Sequence, residues 1–254
     1  MHDAEPLNAD WARPFFTGKT VLVTGGTSGI GAAIAAGFAQ AGAFVTATGA
    51  TESEVESARN AHVGSGIAFA PLDVRDRTAV ERLVSRFDAL DVAVNCAGVI
   101  RRGDELDPDV FASVVDINLT GSMRVCAAAR PLLARSGCGA IINLASMLSF
   151  QGGGLVPGYS ASKGGIAQMT KSLAIAYAAD GIRVNAVAPG WIATALTKNL
   201  RDDPARSDAI IGRTAMKRWG EPGDVVGGAL FLASPAASFV TGVILPIDGG
   251  YLVT

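Results

Sequence analysis

The sequence is short of what builds a metal centre or a disulfide scaffold. Its 254 residues include three cysteines, Cys96, Cys126 and Cys138, and two histidines, His2 and His62. No short spacing joins these five, so neither a zinc site nor a cystine framework can be assembled from them. A reducing cytoplasm is the expected compartment. Charge is scarce too. Only 17% of residues are charged and the net charge is −2, which gives no basis for binding nucleic acid or an anionic membrane. The opening residues, Met1 to Pro6, lack the basic and apolar regions of a secretory signal. Two uncharged stretches, 136–162 and 225–247, are interrupted by Gly and Pro, so neither is expected to span a membrane.

What is present is small and apolar. Hydrophobic residues make up 49% of the chain and aromatics only 6%, with 31 glycines. That mixture suits helices packed closely on a parallel sheet buried on both faces. Strands are expected over 19–24, 44–48, 67–69, 92–94, 140–144, 183–188 and 243–247, with helical patterns between them. No linker or repeat divides the chain. The expected architecture is α/β: one domain over 18–254, a doubly wound seven-stranded parallel sheet flanked by helices, with ligands at the strands' carboxyl ends. Residues 1–17 form an expected leader with Trp11, Phe15 and Phe16 as anchors. Residues 193–215, mixed in charge and interrupted at Pro204 and Gly212, are the expected lid.

The first strand runs directly into Gly25-Gly26-Thr27-Ser28-Gly29-Ile30-Gly31 and an Ala-rich helical pattern. Glycines allow a tight turn and close backbone approach, and a helix N-terminus presents free N–H groups, so this order makes a dinucleotide phosphate cradle. The second strand ends at Thr48-Gly49-Ala50-Thr51, where such folds meet the adenosine ribose. An acid there favours NAD and a base favours NADP; neither is present. Glu52 and Glu54 come slightly late and are expected to open the next helix. The missing acid leaves room for a phosphate beside Thr48 and Thr51, so the cofactor is expected to be NAD or NADP, with a lean to NADP. Asp73 either meets the adenine edge or caps a helix beginning near Thr78. After the fourth strand, Asn95-Cys96-Ala97-Gly98 is small enough to let the backbone approach a cofactor.

Tyr159 and Lys163 lie four positions apart, one helical turn on the same face. A neighbouring ammonium favours the phenolate, which turns a tyrosine into a usable acid or base. Ser146 leaves the end of the fifth strand, where its hydroxyl can hold the oxygen that the tyrosine protonates. Asn118 falls inside a long helical pattern over 109–134, where asparagine is unfavourable on propensity and needs partners.

Taken together, Thr24-Gly25-x-x-x-Gly29-Ile30-Gly31, Asn95-x-Ala97-Gly98, Asn118, Ser146, Tyr159-x-x-x-Lys163 and Pro189-Gly190 with Thr194 resemble the short-chain dehydrogenase/reductase family over nearly the whole chain. The resemblance implies a Rossmann fold and hydride transfer between NAD or NADP and a secondary alcohol or ketone. It implies a catalytic set of Asn118, Ser146, Tyr159 and Lys163. Asn118 would anchor a relay water, and Lys163 would also bind the nicotinamide ribose. It places the cofactor against Gly25, Thr27, Ser28, Gly29, Ile30, Gly31, Thr48, Gly49, Asp73, Val74, Asn95, Ala97 and Gly98. The same list continues with Tyr159, Lys163, Pro189, Gly190, Ile192 and Thr194. Cys96 departs from the family, which often has a second Asn there.

A narrower resemblance concerns substrate. Ile100-Arg101-Arg102, the run from Ser146 to Gly153 and Arg218-Trp219-Gly220 are similar to the family's sugar-acid branch, which includes gluconate 5-dehydrogenases and 2-dehydro-3-deoxy-gluconate 5-dehydrogenases. It implies substrate contacts at Arg101, Arg102, Met147, Gln151 and Trp191, the arginines suiting a carboxylate. Both arginines could equally be solvated charges or pair with Asp104 and Glu105. It also implies a homotetramer with closely packed C-terminal ends. Two rivals stand beside this reading. One is a 3-oxoacyl thioester reductase with a basic patch of Lys198, Arg201, Arg206, Arg213, Lys217 and Arg218 for an acidic carrier protein. The other is a non-catalytic NAD(P)-binding redox sensor.

Overall fold

The computed structural model describes residues 9–254. Seven strands form one parallel sheet: β1 Thr20–Thr24, β2 Phe44–Gly49, β3 Ala68–Pro71, β4 Val92–Asn95, β5 Ala140–Leu144, β6 Arg183–Pro189 and β7 Ile244–Ile247. Their spatial order is β3-β2-β1-β4-β5-β6-β7. The helices are α1 Arg13–Phe16, α2 Gly29–Gln40, α3 Glu52–Ala61, α4 Arg77–Val84, α5 Pro108–Val115, α6 Gly121–Ser136, α7 Pro157–Tyr177, α8 Lys198–Arg201, α9 Pro204–Arg213 and α10 Pro222–Ala233. The sheet grows one way from β1 through β2 to β3 and the other way from β4 to β7. The switch point therefore lies between β1 and β4, where a doubly wound sheet opens a crevice.

Side chains alternate across the sheet, and both faces are covered. Val21 and Val23 join Val45, Ala47, Val92, Val94 and Ile142 in a core roofed by α2 and α10. Leu22, Ala93, Ile141 and Val184 point the other way, into a core with α4, α6 and α7. Small residues set the spacing of these layers. A Cβ at Gly37 of α2 would stand 2.2 Å from Val226 Cγ1 of α10, so the two helices pack as closely as a glycine allows.

The expected leader is only in part a surface tail. Residues 1–8, with His2, lie outside the described residues. Beyond them, Phe16 is 2% exposed and packs edge-on against Phe38 at 4.9 Å, while Trp11 is exposed. The long helical pattern at 109–134 is not one α-helix. It divides into α5, a π-helical turn Asp116–Thr120 and α6, and that wide turn carries Asn118. The run Pro108–Ser136 is the described stretch long and apolar enough to cross a membrane, but α4, α7 and the sheet pack against it. In the expected lid, Pro204 opens α9 rather than breaking the chain, because a first-turn proline has no hydrogen bond to lose.

Candidate active site

A cleft of about 330 Å³ opens at the switch point. Gly25 and residues 27–31 form one wall, Ala50, Glu54 and residues 72–75 another, residues 96–99 the floor, and Thr194, Ala195 and Leu196 the overhang. The glycines are required by geometry. Gly25 has φ +64°, and a Cβ there would fall 2.6 Å from the Ala97 nitrogen. A Cβ at Gly31 would fall 2.1 Å from the Gly25 carbonyl oxygen. The turn is thus pressed against the end of β4 while the N-terminus of α2 faces the cleft, which suits a pyrophosphate. Across the opening, Gly29 lies 3.5 Å from Thr194 Cγ2, measured from the position a Cβ would take.

Most of the residues expected to hold the cofactor line this cleft, and several do not. Asn95 is buried behind it. Its amide donates to Asn143 Oδ1 at 2.9 Å and Cys126 Sγ at 3.2 Å, while Asn143 donates to Thr170 at 2.9 Å. That ladder ties β4, β5 and α7 together in the core. Thr48 is buried, its hydroxyl without a partner among the described residues, and Gly49 backs onto Thr27. Pro189 ends β6, Gly190 packs on Asp248, and Ile192 bridges to Gly220. Asp73 lines the cleft with Val74 but does not cap α4; Asp76 does, accepting from Ala79 at 3.0 Å. Asp73 instead takes the Arg75 guanidinium at 2.6 Å, which holds its carboxyl below the ordinary range.

The chemistry converges beside Gly98. Its missing Cβ would lie 3.2 Å from Asn118 Oδ1 and 3.9 Å from Lys163 Nζ. Asn118 is 1% exposed; it donates to Val99 O at 2.9 Å and Ser162 Oγ at 3.1 Å and accepts from the Val99 N–H at 2.8 Å. Its side chain therefore clamps the loop after β4 to α7. A relay water would have to use its main-chain carbonyl, which already accepts from Ser122 Oγ at 2.8 Å. Lys163 is 3% exposed and donates to the Leu144 carbonyl at 2.5 Å. Burial pushes its pKa down to about 8.

Tyr159 differs from the expectation of a lowered pKa. Desolvation of its hydroxyl raises it, a hydrogen bond with Ser146 works the other way, and the negative charge of Glu105 raises it further. The Lys163 ammonium sits 5.5 Å from the ring centroid and is directed at Leu144, so it does not dominate. Ser146 is 7% exposed, and its Oγ accepts from the Leu148 N–H at 3.2 Å, which orients it. Cys96 is a desolvated thiol near Lys163, pushed up to about 12 by burial.

Of the expected substrate residues, Arg101 and Arg102 are exposed, and among the described residues neither guanidinium has a partner. Met147 is buried directly after Ser146, and Gln151 is half-buried in the following loop. Trp191 packs edge-on against Trp219 at 5.9 Å and Tyr251 at 6.3 Å, and it lines a second cavity of about 170 Å³. Arg75 escaped the sequence reading, and Glu54 and Glu105 entered it only as a helix-opening acid and as a possible partner of the arginines. Glu54 had a local signal, since Thr51-x-x-Glu54 is a capping pattern, and its carboxylate turns back to accept from the Ala50 N–H at 2.8 Å.

A family model described as enoyl-(acyl carrier protein) reductase matches residues 14–252. A 2-dehydro-3-deoxy-D-gluconate 5-dehydrogenase of Bacillus subtilis (strain 168) is 42% identical over 261 residues, covering 99% of this chain and 98% of its own. The chain belongs to the short-chain dehydrogenase/reductase family. It is an NAD(P)-dependent oxidoreductase of that family, acting on a secondary alcohol or ketone. A galactitol 2-dehydrogenase (L-tagatose-forming) of Cereibacter sphaeroides is 37% identical, over 93% of this chain and 96% of that one. A solved gluconate 5-dehydrogenase of Burkholderia cenocepacia J2315, in complex with NADP and tartrate, is 34% identical with a TM-score of 0.89, covering 96% and 98% of the two chains.

Proposed function

We propose that the site oxidises a secondary hydroxyl of a sugar acid, or reduces the matching ketone, with Tyr159 exchanging the proton. The observation that carries this reading is the gathering of Lys163, 5.5 Å from the Tyr159 ring centroid, and Asn118 around Gly98, at the edge of a glycine-walled cleft shaped for a dinucleotide. The bound nicotinamide supplies the hydride acceptor or donor. Gly25, residues 27–31 and Thr194 hold the cofactor, and residues 96–98 bring the backbone close to it. Ser146 donates to the substrate oxygen and fixes it against the Tyr159 hydroxyl. Lys163 gives the pocket positive charge, which favours the phenolate whenever its ammonium turns from Leu144. Asn118 holds Gly98 and Val99 against α7 and so keeps the floor in register.

The sugar-acid relatives support the substrate class, and the unpaired Arg101 and Arg102 supply a place for its carboxylate. Replacing either by Ala should raise KM for 2-dehydro-3-deoxy-D-gluconate by about tenfold, the loss of one charge-assisted hydrogen bond, with kcat little changed. Steady-state kinetics check this. Unchanged KM in both variants removes the carboxylate clamp and favours a neutral polyol such as galactitol. The basic patch of the thioester-reductase reading is offset in part by neighbouring acids. Lys198 pairs with Asp202, Arg206 with Asp203 and Arg218 with Asp224, while Arg213 stacks on Tyr251 at 4.3 Å. Turnover of acetoacetyl thioesters in place of sugar acids would restore that reading.

NADP is supported by the missing acid at Gly49 and Ala50 and by the NADP-bound relative. Glu54 works against it, since its carboxylate borders the cleft beside Ala50. Glu54→Gln should raise kcat/KM for NADP about tenfold by lifting that repulsion, with NAD altered less. Equal effects on both cofactors would show that Glu54 does not face the ribose. Free thiols at Cys96, Cys126 and Cys138 suit a cytoplasmic setting. Exposed Ile175 and Phe239 suit a homotetramer.

A further inference from the structure

Glu105 is 1% exposed, and nothing in the mechanism above uses it. Taking a carboxylate out of water is costly unless partners replace the solvent. Here backbone replaces it. Oε1 accepts from the Arg101 N–H and Oε2 from the Tyr159 N–H, both at 2.7 Å. Tyr159 is the third residue of α7, within the first turn, where N–H groups have no partner inside the helix. Val156, at the N-cap, offers no side-chain bond. The cap of α7 therefore comes from Glu105, across the fold. A second strap lies alongside, the Gly103 N–H donating to Leu155 O at 2.7 Å. Gly158 leaves this contact just enough room, since a Cβ there would lie 3.3 Å from Glu105 Oε2 and 3.2 Å from Phe111 Cα.

We propose that Glu105 is a positioning residue that fixes the start of α7, and with it Tyr159, to the loop bearing Arg101 and Arg102. The proton-exchanging group and the anion-binding arginines then keep one spacing during turnover. This rests on the roles assigned above to Tyr159 and the arginines. Its charge also bears on Tyr159, whose pKa it helps to raise. Charged and titratable groups on its own loop are Arg101, Arg102, Asp104 and Asp107, and the elements packed against that loop carry Asp109 on α5 and Tyr159 and Lys163 on α7.

Glu105→Gln removes the charge and, with one acceptor oxygen in place of two, at least one of the bonds. Gly158→Ala keeps the charge and crowds the contact. In Glu105→Gln, amide hydrogen exchange at Arg101 or Tyr159 should quicken about tenfold, the loss of one hydrogen bond. The Tyr159 phenolate, followed by ultraviolet absorbance as a difference from Tyr159→Phe, should form at lower pH. Gly158→Ala should quicken exchange without that shift. On 2-dehydro-3-deoxy-D-gluconate, Glu105→Gln should lower kcat and raise KM together. Exchange and titration need no substrate, so they judge Glu105 independently of 2-dehydro-3-deoxy-D-gluconate turnover by the wild-type enzyme, which judges the substrate reading. Exchange within about twofold of wild type at both amides, with no shift in titration, overturns the proposal. If Glu105→Gln does not fold, unchanged exchange in Gly158→Ala overturns it equally.

Discussion

Tyr159→Phe is expected to lower kcat by about 10³-fold, within the range for removing a positioned acid or base. The reason is local. The substitution deletes one hydroxyl and keeps the ring beside the Lys163 side chain. Folding and cofactor affinity should be little changed, because the Tyr159 hydroxyl lies outside the lining of the dinucleotide cleft. Thermal unfolding and nicotinamide fluorescence on binding check both. A variant retaining a third of wild-type kcat would move the proton elsewhere. A variant losing cofactor affinity as strongly as kcat would make Tyr159 a binding residue instead. Oxidation by the wild-type enzyme should speed up as pH rises, since a raised Tyr159 pKa leaves little phenolate at neutrality.

Gly31→Ala is expected to weaken cofactor binding by about 100-fold, near 2.7 kcal/mol. On helix propensity alone, Ala at this position would be an improvement. Space decides otherwise. The new Cβ would meet the Gly25 carbonyl oxygen at 2.1 Å and its carbon at 2.9 Å, and backbone atoms cannot swing aside as a side-chain tip can. Gly25 has little room of its own, being pressed on Cys96 and Ala97. The phosphate turn must therefore lift, and the N–H groups at the start of α2 lose their aim. Titration of NADPH fluorescence reads the affinity. Wild-type affinity in a folded Gly31→Ala protein would mean that the cradle tolerates displacement and that the cofactor is held elsewhere.

Features carried by local spacing were legible in the sequence. Short continuous apolar runs placed all seven strands to within a residue or two, because a sheet covered on both faces demands continuous burial. The glycine turn was legible because strand, turn and helix are contiguous. Tyr159 and Lys163 were legible because a helix fixes their separation. What escaped depends on contacts between distant segments. Glu105 reaches a Tyr159 N–H 54 positions away, and no local pattern records that. Asn95 looked like a cofactor residue from its strand end, yet its amide is drawn into the core by Asn143, 48 positions on. The ring contacts of Trp191 with Trp219 and Tyr251 also join segments distant along the chain. The Tyr159 pKa went the other way because charge spacing along a helix says nothing of desolvation, nor of the Leu144 carbonyl that claims Lys163.

The most direct test is a progress curve of reduced-nicotinamide absorbance, with 2-dehydro-3-deoxy-D-gluconate offered beside NAD or NADP. Wild-type protein should reduce at least one cofactor, and Tyr159→Phe should leave the trace nearly flat. Equal slopes from the two proteins, or no reduction by wild-type protein that binds the cofactor, would contradict the account.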